Sequence, residues 1–231
     1  MRILAFDTST SWCSVAVGDE HGFAQREEPI GNAHSERLLP IVHDLLAQCG
    51  LAKTQLDAIV FGAGPGSFTG VRIACSVAQG LALGLDRPAL AVGTLEALAQ
   101  EARRHIASDH VIACTDARMG EVYVAAYARD GERWREARAP AVIKPDHVAV
   151  PDATARWIGA GNGFAAHPAL AARLQLACVL EEVRASARAI GELALPRLAA
   201  GEGVAAEHAL PLYVRHRVAL TTAERAAGLR L

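Results

Sequence analysis

The chain has 231 residues, 52% hydrophobic but only 5% aromatic, enough for one large domain or two small lobes with a core filled mainly by Ala, Leu and Val. Its 23 Lys and Arg against 25 Asp and Glu leave a net charge of −2, so nothing global favours a phosphate backbone or an acidic membrane. The five cysteines (Cys13, Cys49, Cys75, Cys114 and Cys178) are odd in number and form no CxxC pair, which argues against a disulfide framework and a zinc knuckle.

The apolar run Ile3 to Phe6 reads as a strand ending in the hydroxyl-rich turn Asp7-Thr8-Ser9-Thr10-Ser11. It falls short of a signal-peptide core, and no later stretch reads as a membrane span, so a cytoplasmic protein is expected. Cys13 to Val17 alternates small polar and apolar residues, Asp19-Glu20-His21-Gly22 supplies a turn, and Phe23 to Glu27 can pair back, giving a three-stranded antiparallel opening. Asp7, Thr8, Ser9 and Thr10 would suit a nucleotide phosphate, since hydroxyls and backbone N–H groups in a tight turn can face an anion. An ordinary Asx or Ser/Thr turn accounts for them better without other information.

From Ser35 to Gln48, Leu38, Ile41, Val42, Leu45 and Leu46 recur at helical spacing. His34 has Leu38, not a second His, at i+4, so a helical metal pair is absent and a solvent-facing or helix-start role is favoured. Asp57 to Gly62 is a buried-strand candidate running into Gly64-Pro65-Gly66-Ser67-Phe68-Thr69-Gly70 and a helix to about Leu85. That loop lacks the Gly-Lys-Ser/Thr of a phosphate loop, so it reads as a tight connection in which backbones approach closely. Along its helix run two small rows, Gly70, Ala74, Ala78, Ala82 and Ser76, Gly80, Gly84, with the large row Ile73, Val77, Leu81, Leu85 between them. If the large row faces the lobe's own sheet, a small row is left flat for another helix.

Ala89 to Val92 is a further strand, and Thr94 opens a helix to about Arg104. Three antiparallel strands followed by alternating helices and strands match one lobe of the actin-like ATPase fold. The pattern restarts with His110 to Thr115, Glu121 to Arg129 and Trp134 to Ala137, and Asp116 and Arg118 sit where this hairpin turns, within reach of an inter-lobe cleft. Beyond it, Arg156 to Gly159 reads as a strand and Ser186 to Ala200 as a helix. The expected division is a first lobe over residues 1–104 and a second, shorter one with a C-terminal tail over 105–231. The tail from Pro211 carries Arg215, Arg217, Arg225 and Arg230 against Glu224 alone.

Taken together, Ile3-Leu4-Ala5-Phe6-Asp7-Thr8-Ser9-Thr10, His34-Ser35-Glu36-Arg37-Leu38-Leu39-Pro40, Gly64 to Ile73, Asp116 to Tyr123 and Pro211-Leu212-Tyr213-Val214-Arg215 resemble the bacterial TsaB (YeaZ) family. The resemblance fades between about Trp134 and Leu210. It implies the α/β two-lobed fold of the actin, sugar-kinase and Hsp70 ATPases (ASKHA), with a degenerate second lobe. It also implies a non-catalytic role in threonylcarbamoylation of the adenosine beside the anticodon of tRNAs reading codons that start with A. In that system TsaD is the catalytic subunit, TsaB its scaffold and activator, and the ATPase TsaE joins them, while tRNA is met indirectly. No metal, catalytic residue or required cofactor is expected, with weak nucleotide binding left open at Asp7, Thr8, Ser9, Thr10, Asp116 and Arg118. The expected interface, for TsaD or for a homodimer of the isolated chain, is Arg37, Leu38, Ile41 and Leu45 with Gly70, Ala74, Ala78 and Ala82. The alternatives are a metallopeptidase-like hydrolase, which needs a ligand set, and a small-molecule kinase, which needs a base and a phosphate clamp.

Overall fold

The computed structural model describes residues 1–215, and in it the chain forms two five-stranded mixed sheets. The first takes β1 (Ile3–Asp7), β2 (Trp12–Asp19), β3 (Gly22–Pro29), α1 (His34–Gln48), β4 (Ala58–Gly62), α2 (Phe68–Leu85) and β5 (Ala89–Val92), and its strand order is β3-β2-β1-β4-β5. β2 is antiparallel to both of its neighbours, β1 and β3, whereas β4 and β5 run parallel to β1. After α3 (Thr94–His105), β6 (His110–Asp116), β7 (Val122–Asp130) and β8 (Arg133–Ile143) open a second sheet, which continues with β9 (Ile158–Ala160), α4 (Gly163–Ala166), α5 (Ala169–Arg173) and β10 (Val179–Leu180). Its order, β10-β9-β6-β7-β8, repeats the first: antiparallel on one side of the opening strand, parallel on the other. α6 (Ala187–Ala199) follows.

Strand alternation sorts the core. In the first sheet Leu4, Phe6, Ile59 and Phe61 point to the side covered by α1 and α2, and Ile3, Ala5, Ala58 and Val60 to the other. In the second, Val111, Ala113, Ala125 and Tyr127 face the inner layer, and Ile112, Cys114, Val124 and Ala126 pack with Phe164 of α4 and Leu170 of α5. Between the sheets lie α3 and α6, so helices and sheets alternate in five layers.

The helices do not follow the expected division into residues 1–104 and 105–231. α3 packs on β6, β7 and β9 of the second sheet, whereas α6 lies across all five strands of the first. The two helices also pack on each other, so the apolar inner faces of both sheets are covered by one central layer. The chain then returns to the first lobe: Val204 pairs with Ala89 at the β5 edge, and the Leu212 N–H donates to the Ala63 carbonyl at 2.8 Å. Tail positions 216–231, including Arg217, Glu224, Arg225 and Arg230, lie outside the described residues.

α2 differs from the sequence reading twice. It is long and apolar enough to cross a membrane by length and composition, yet one side of it packs in the first lobe. That side is the small row: Gly70, Ala74, Ala78 and Ala82 are buried, and Ile73, Val77, Leu81 and Leu85 flank them half-buried. The sheet supplies the bulk on this side through Phe6 and Phe61, so the helix meeting it must be small.

Candidate functional site between and beside the lobes

A cleft of about 740 Å³ lies between the sheets. Ser9 and Thr10, from the turn after β1, line one wall, and Asp116 and Arg118, from the turn after β6, line the other. Four of the six residues expected at a nucleotide cleft are therefore together. Asp7 and Thr8 are not in the wall. Asp7 is 2% exposed; its Oδ1 accepts from the Ser9 N–H at 2.9 Å and the Ser9 hydroxyl at 2.7 Å, and its Oδ2 packs against Gly62. Burial pushes the Asp7 carboxyl above the usual carboxylate range, against the hydrogen bonds from Ser9 and Thr94 and the nearby His34, which act the other way. A carboxylate held this way is turned from the cleft and disfavoured as an anion.

The Gly64–Gly70 connection explains the rest of that turn. A Cβ on Gly66 would strike Ser9, and one on Gly70 the Thr8 carbonyl, so both glycines let this loop lie directly on the β1 turn. The Thr8 hydroxyl donates to the Gly70 carbonyl at 2.7 Å, and the Ser67 N–H to the Ser9 carbonyl at 2.7 Å. These hydroxyls and N–H groups are engaged within the protein instead of being presented to an anion. On the opposite wall Asp116 forms an ion pair with Arg118 at 3.3 Å and accepts the Arg118 N–H at 2.9 Å. Arg118 and Met119 hold φ of 62° and 56°, left-handed values that side chains rarely adopt, and Gly120 continues the turn at 71°.

The C-terminal segment closes the cleft, a role the sequence did not suggest for it. Arg72 stacks on Phe68, its guanidinium carbon 3.6 Å from the ring centre, and donates to the Tyr213 hydroxyl at 2.9 Å. Arg215 donates to the Ala117 carbonyl at 3.0 Å and pairs with Glu121 at 2.9 Å, tying this segment to the second lobe. His34 opens α1 as expected but is buried, not solvent-facing, with Nε2 3.3 Å from the Trp12 carbonyl. Among the described residues no group of three or more His, Cys, Asp and Glu could hold a metal ion.

The expected partner surface also needs correction. Leu38, Ile41 and Leu45 of α1 are buried beside Ala74, Ala78 and Ala82, within the chain's own core. Arg37 is committed to Glu28 of β3 at 2.6 Å. What α1 and α2 expose instead is Leu39, Ser76, Gly80, Leu83 and Gly84, with Leu83 75% exposed and open space beyond both glycines.

Two repeated mixed sheets around a shared helical layer define an actin-like protein, and a family model described as TsaD, tRNA N6-adenosine threonylcarbamoyltransferase, matches residues 28–223. Within that class the chain belongs to the TsaB (YeaZ) family. It is 41% identical over 223 residues to the tRNA threonylcarbamoyladenosine biosynthesis protein TsaB of Escherichia coli, covering 95% of this chain and 96% of the relative. The Haemophilus influenzae protein of the same name is 38% identical over 175 residues, covering 72% and 74%. The structure of YeaZ from Pseudomonas aeruginosa superposes with a TM-score of 0.86 at 44% identity, over 92% of this chain and 99% of that one. A second structure, of an uncharacterized protein with similarity to peptidase YeaZ from Pseudomonas aeruginosa, gives 0.87 at 44% identity over 93% and 99%.

Proposed function

We propose that the chain takes part in threonylcarbamoyladenosine biosynthesis as a non-catalytic subunit that scaffolds and activates a TsaD-type catalytic subunit. The carrying observation is the open face of α2, an apolar 18-residue helix of which only a third is buried, with a flat row at Ser76, Gly80 and Gly84 beside Leu83. Such a row lets a second helix approach along its length, so that dispersion contacts accumulate. TsaD is the proposed occupant because the chain itself matches the TsaD family model, and two related chains can pair through equivalent helices. In its absence a second copy takes the same face. The ATPase TsaE joins this pair, and tRNA is reached through the catalytic subunit.

The non-catalytic part of the reading is supported by the cleft. Asp7 faces inward and Asp116 is paired with Arg118, so neither carboxylate stands unpartnered in the cleft. The alternative of a metallopeptidase or a small-molecule kinase gains no observation here. The test is reconstitution: supplied with threonylcarbamoyl-adenylate, TsaD with TsaE should transfer the threonylcarbamoyl group to tRNA, releasing AMP, only when this chain is added, and a folded Gly80→Arg variant should neither assemble with TsaD nor activate it. Unchanged assembly of that variant would put the contact elsewhere. ATP turnover by the isolated chain, lost in Asp116→Ala, would overturn the non-catalytic role.

A further inference from the structure

A second cavity, of about 580 Å³, lies between the α3–α6 layer and the β7–β8 hairpin, sharing only Leu212 with the cleft lining. Its charge is one-sided: five glutamates line it against two arginines. Two of the five are already neutralised, Glu192 by Arg104 and Glu202 by Arg197 at 2.9 Å. Glu96, half-buried in the first turn of α3, has no hydrogen bond or ion pair among the described residues, and neither has Glu136 of β8. Beside both stands Tyr127, 2% exposed, lining the cavity with a hydroxyl that also lacks a hydrogen-bond partner among the described residues. Its oxygen opens to the cavity, where a ligand can supply the partner a phenol ordinarily has.

Between these charged groups lies an aromatic and aliphatic wall. The Trp134 ring packs edge-on against Tyr127, centroids 6.5 Å apart, and its indole N–H donates to Gln100 Oε1 at 2.9 Å. Gln100 in turn donates to Glu192 at 2.9 Å, which holds the indole in place. Leu193 and Leu210 line the remainder. Unpaired carboxylates, an unpaired phenol and an aromatic wall in a cavity of ligand size complement a cation carried on an aliphatic stem.

We infer that this cavity binds a primary alkylammonium group, its nitrogen donating to the Glu96 carboxylate and the Tyr127 hydroxyl and its methylenes lying against Trp134 and Leu193. A free aliphatic amine and a lysine side chain of a partner protein share that chemistry. The test is titration of the full chain with 1,5-diaminopentane and, separately, Nα-acetyl-lysine amide, followed by tryptophan fluorescence and calorimetry, with 1-pentanol as the uncharged control. Saturable binding of an amine without binding of the alcohol is expected, weakened roughly tenfold or more in Glu96→Gln through loss of a charge-assisted hydrogen bond. Tyr127→Phe should weaken it less. Whichever probe binds more tightly identifies the source. Both substitutions conserve shape, and Glu96→Gln removes an unpaired half-buried charge, so the melting temperature should not fall. Absence of saturable binding by either amine, or binding unchanged in both variants, would overturn the assignment.

Discussion

Gly80 gives the sharpest test of the α2 face, because one methyl group should move two measurements in opposite directions. It lies inside an 18-residue helix, is exposed, and a Cβ built on it meets nothing within 4 Å. Glycine in such a position is less favourable than alanine by about 0.5–1 kcal/mol, since it loses more backbone freedom on folding. For a chain of this length about 1 kcal/mol corresponds to roughly 2–4 °C, so Gly80→Ala should raise the melting temperature of the dilute, unassociated protein by about 1–4 °C. The same methyl stands on the row that another helix must approach. Overpacking a close contact by this amount costs about 1–3 kcal/mol, or roughly five- to 150-fold in affinity for TsaD. Thermal unfolding by circular dichroism at low protein concentration reads the first effect, and titration with purified TsaD the second. At higher concentration a self-associated wild type gains stability by mass action, which would shrink the difference in melting temperature. A lowered melting temperature in dilute protein would refute the openness of the face, and unchanged affinity would refute its use.

The opposite small row should behave as core: Ala78→Leu, at a position with 0% exposure against the sheet, is expected to destabilise by about 1–3 kcal/mol in urea unfolding, whereas an exposed Ser76→Leu should stay within about 0.5 kcal/mol. Asp7→Asn keeps an acceptor for the Ser9 donors and removes a buried charge. Because burial raises the folded-state pKa above the unfolded value of about 3.9, the native chain holds this proton more tightly, and the contribution is complete at acid pH and lost as pH rises through the folded value. The variant should therefore gain on the wild type as pH rises above about 4 in urea midpoints, and a gap that moves the other way would contradict the burial of this group. Arg215→Ala removes the ties this side chain makes to Ala117, Met119, Glu121 and Tyr123 of the second lobe, and amide exchange over residues 116–121 should quicken by roughly five- to hundredfold while global stability changes little.

The framework of both sheets was legible because its signals are local. Asp19-Glu20-His21-Gly22 and Asp130-Gly131 mark hairpin turns, and the strands beside them alternate in the period of two that sorts the core. The Leu4/Phe6 and Ile59/Phe61 faces could have been read from the sequence as well, and they hold the reason the α2 row was misread. Hydrophobicity says that a helix buries its bulkiest stripe, but packing is a property of both surfaces, and this sheet face already carries two phenylalanines. Volume conservation then puts Ala74, Ala78 and Ala82 inward and leaves Ser76, Gly80 and Gly84 out. Less was legible after β7. β8 extends over 11 residues, beyond the expected Trp134 to Ala137, because it is an edge strand in which Arg135, Glu136 and Ala139 are exposed on either face, which dilutes the apolar alternation. α4, α5 and β10 span four, five and two residues, too few for any period to register.

The inward turn of Asp7 also had a sequence counterpart, visible only through the pairing of strands. β1 and β4 run parallel with Phe6 opposite Phe61, so the next pair along is Asp7 and Gly62. An acidic residue at a strand end beside a glycine has room to fold its carboxylate over the neighbouring strand, and Ser9, two residues on, supplies two donors to hold it there. A Cβ at Gly62 would strike this carboxylate, so the inward position of Asp7 requires the glycine. It is the packing at Gly62, Gly66 and Gly70, more than the identity of Asp7 to Thr10, that closes the turn.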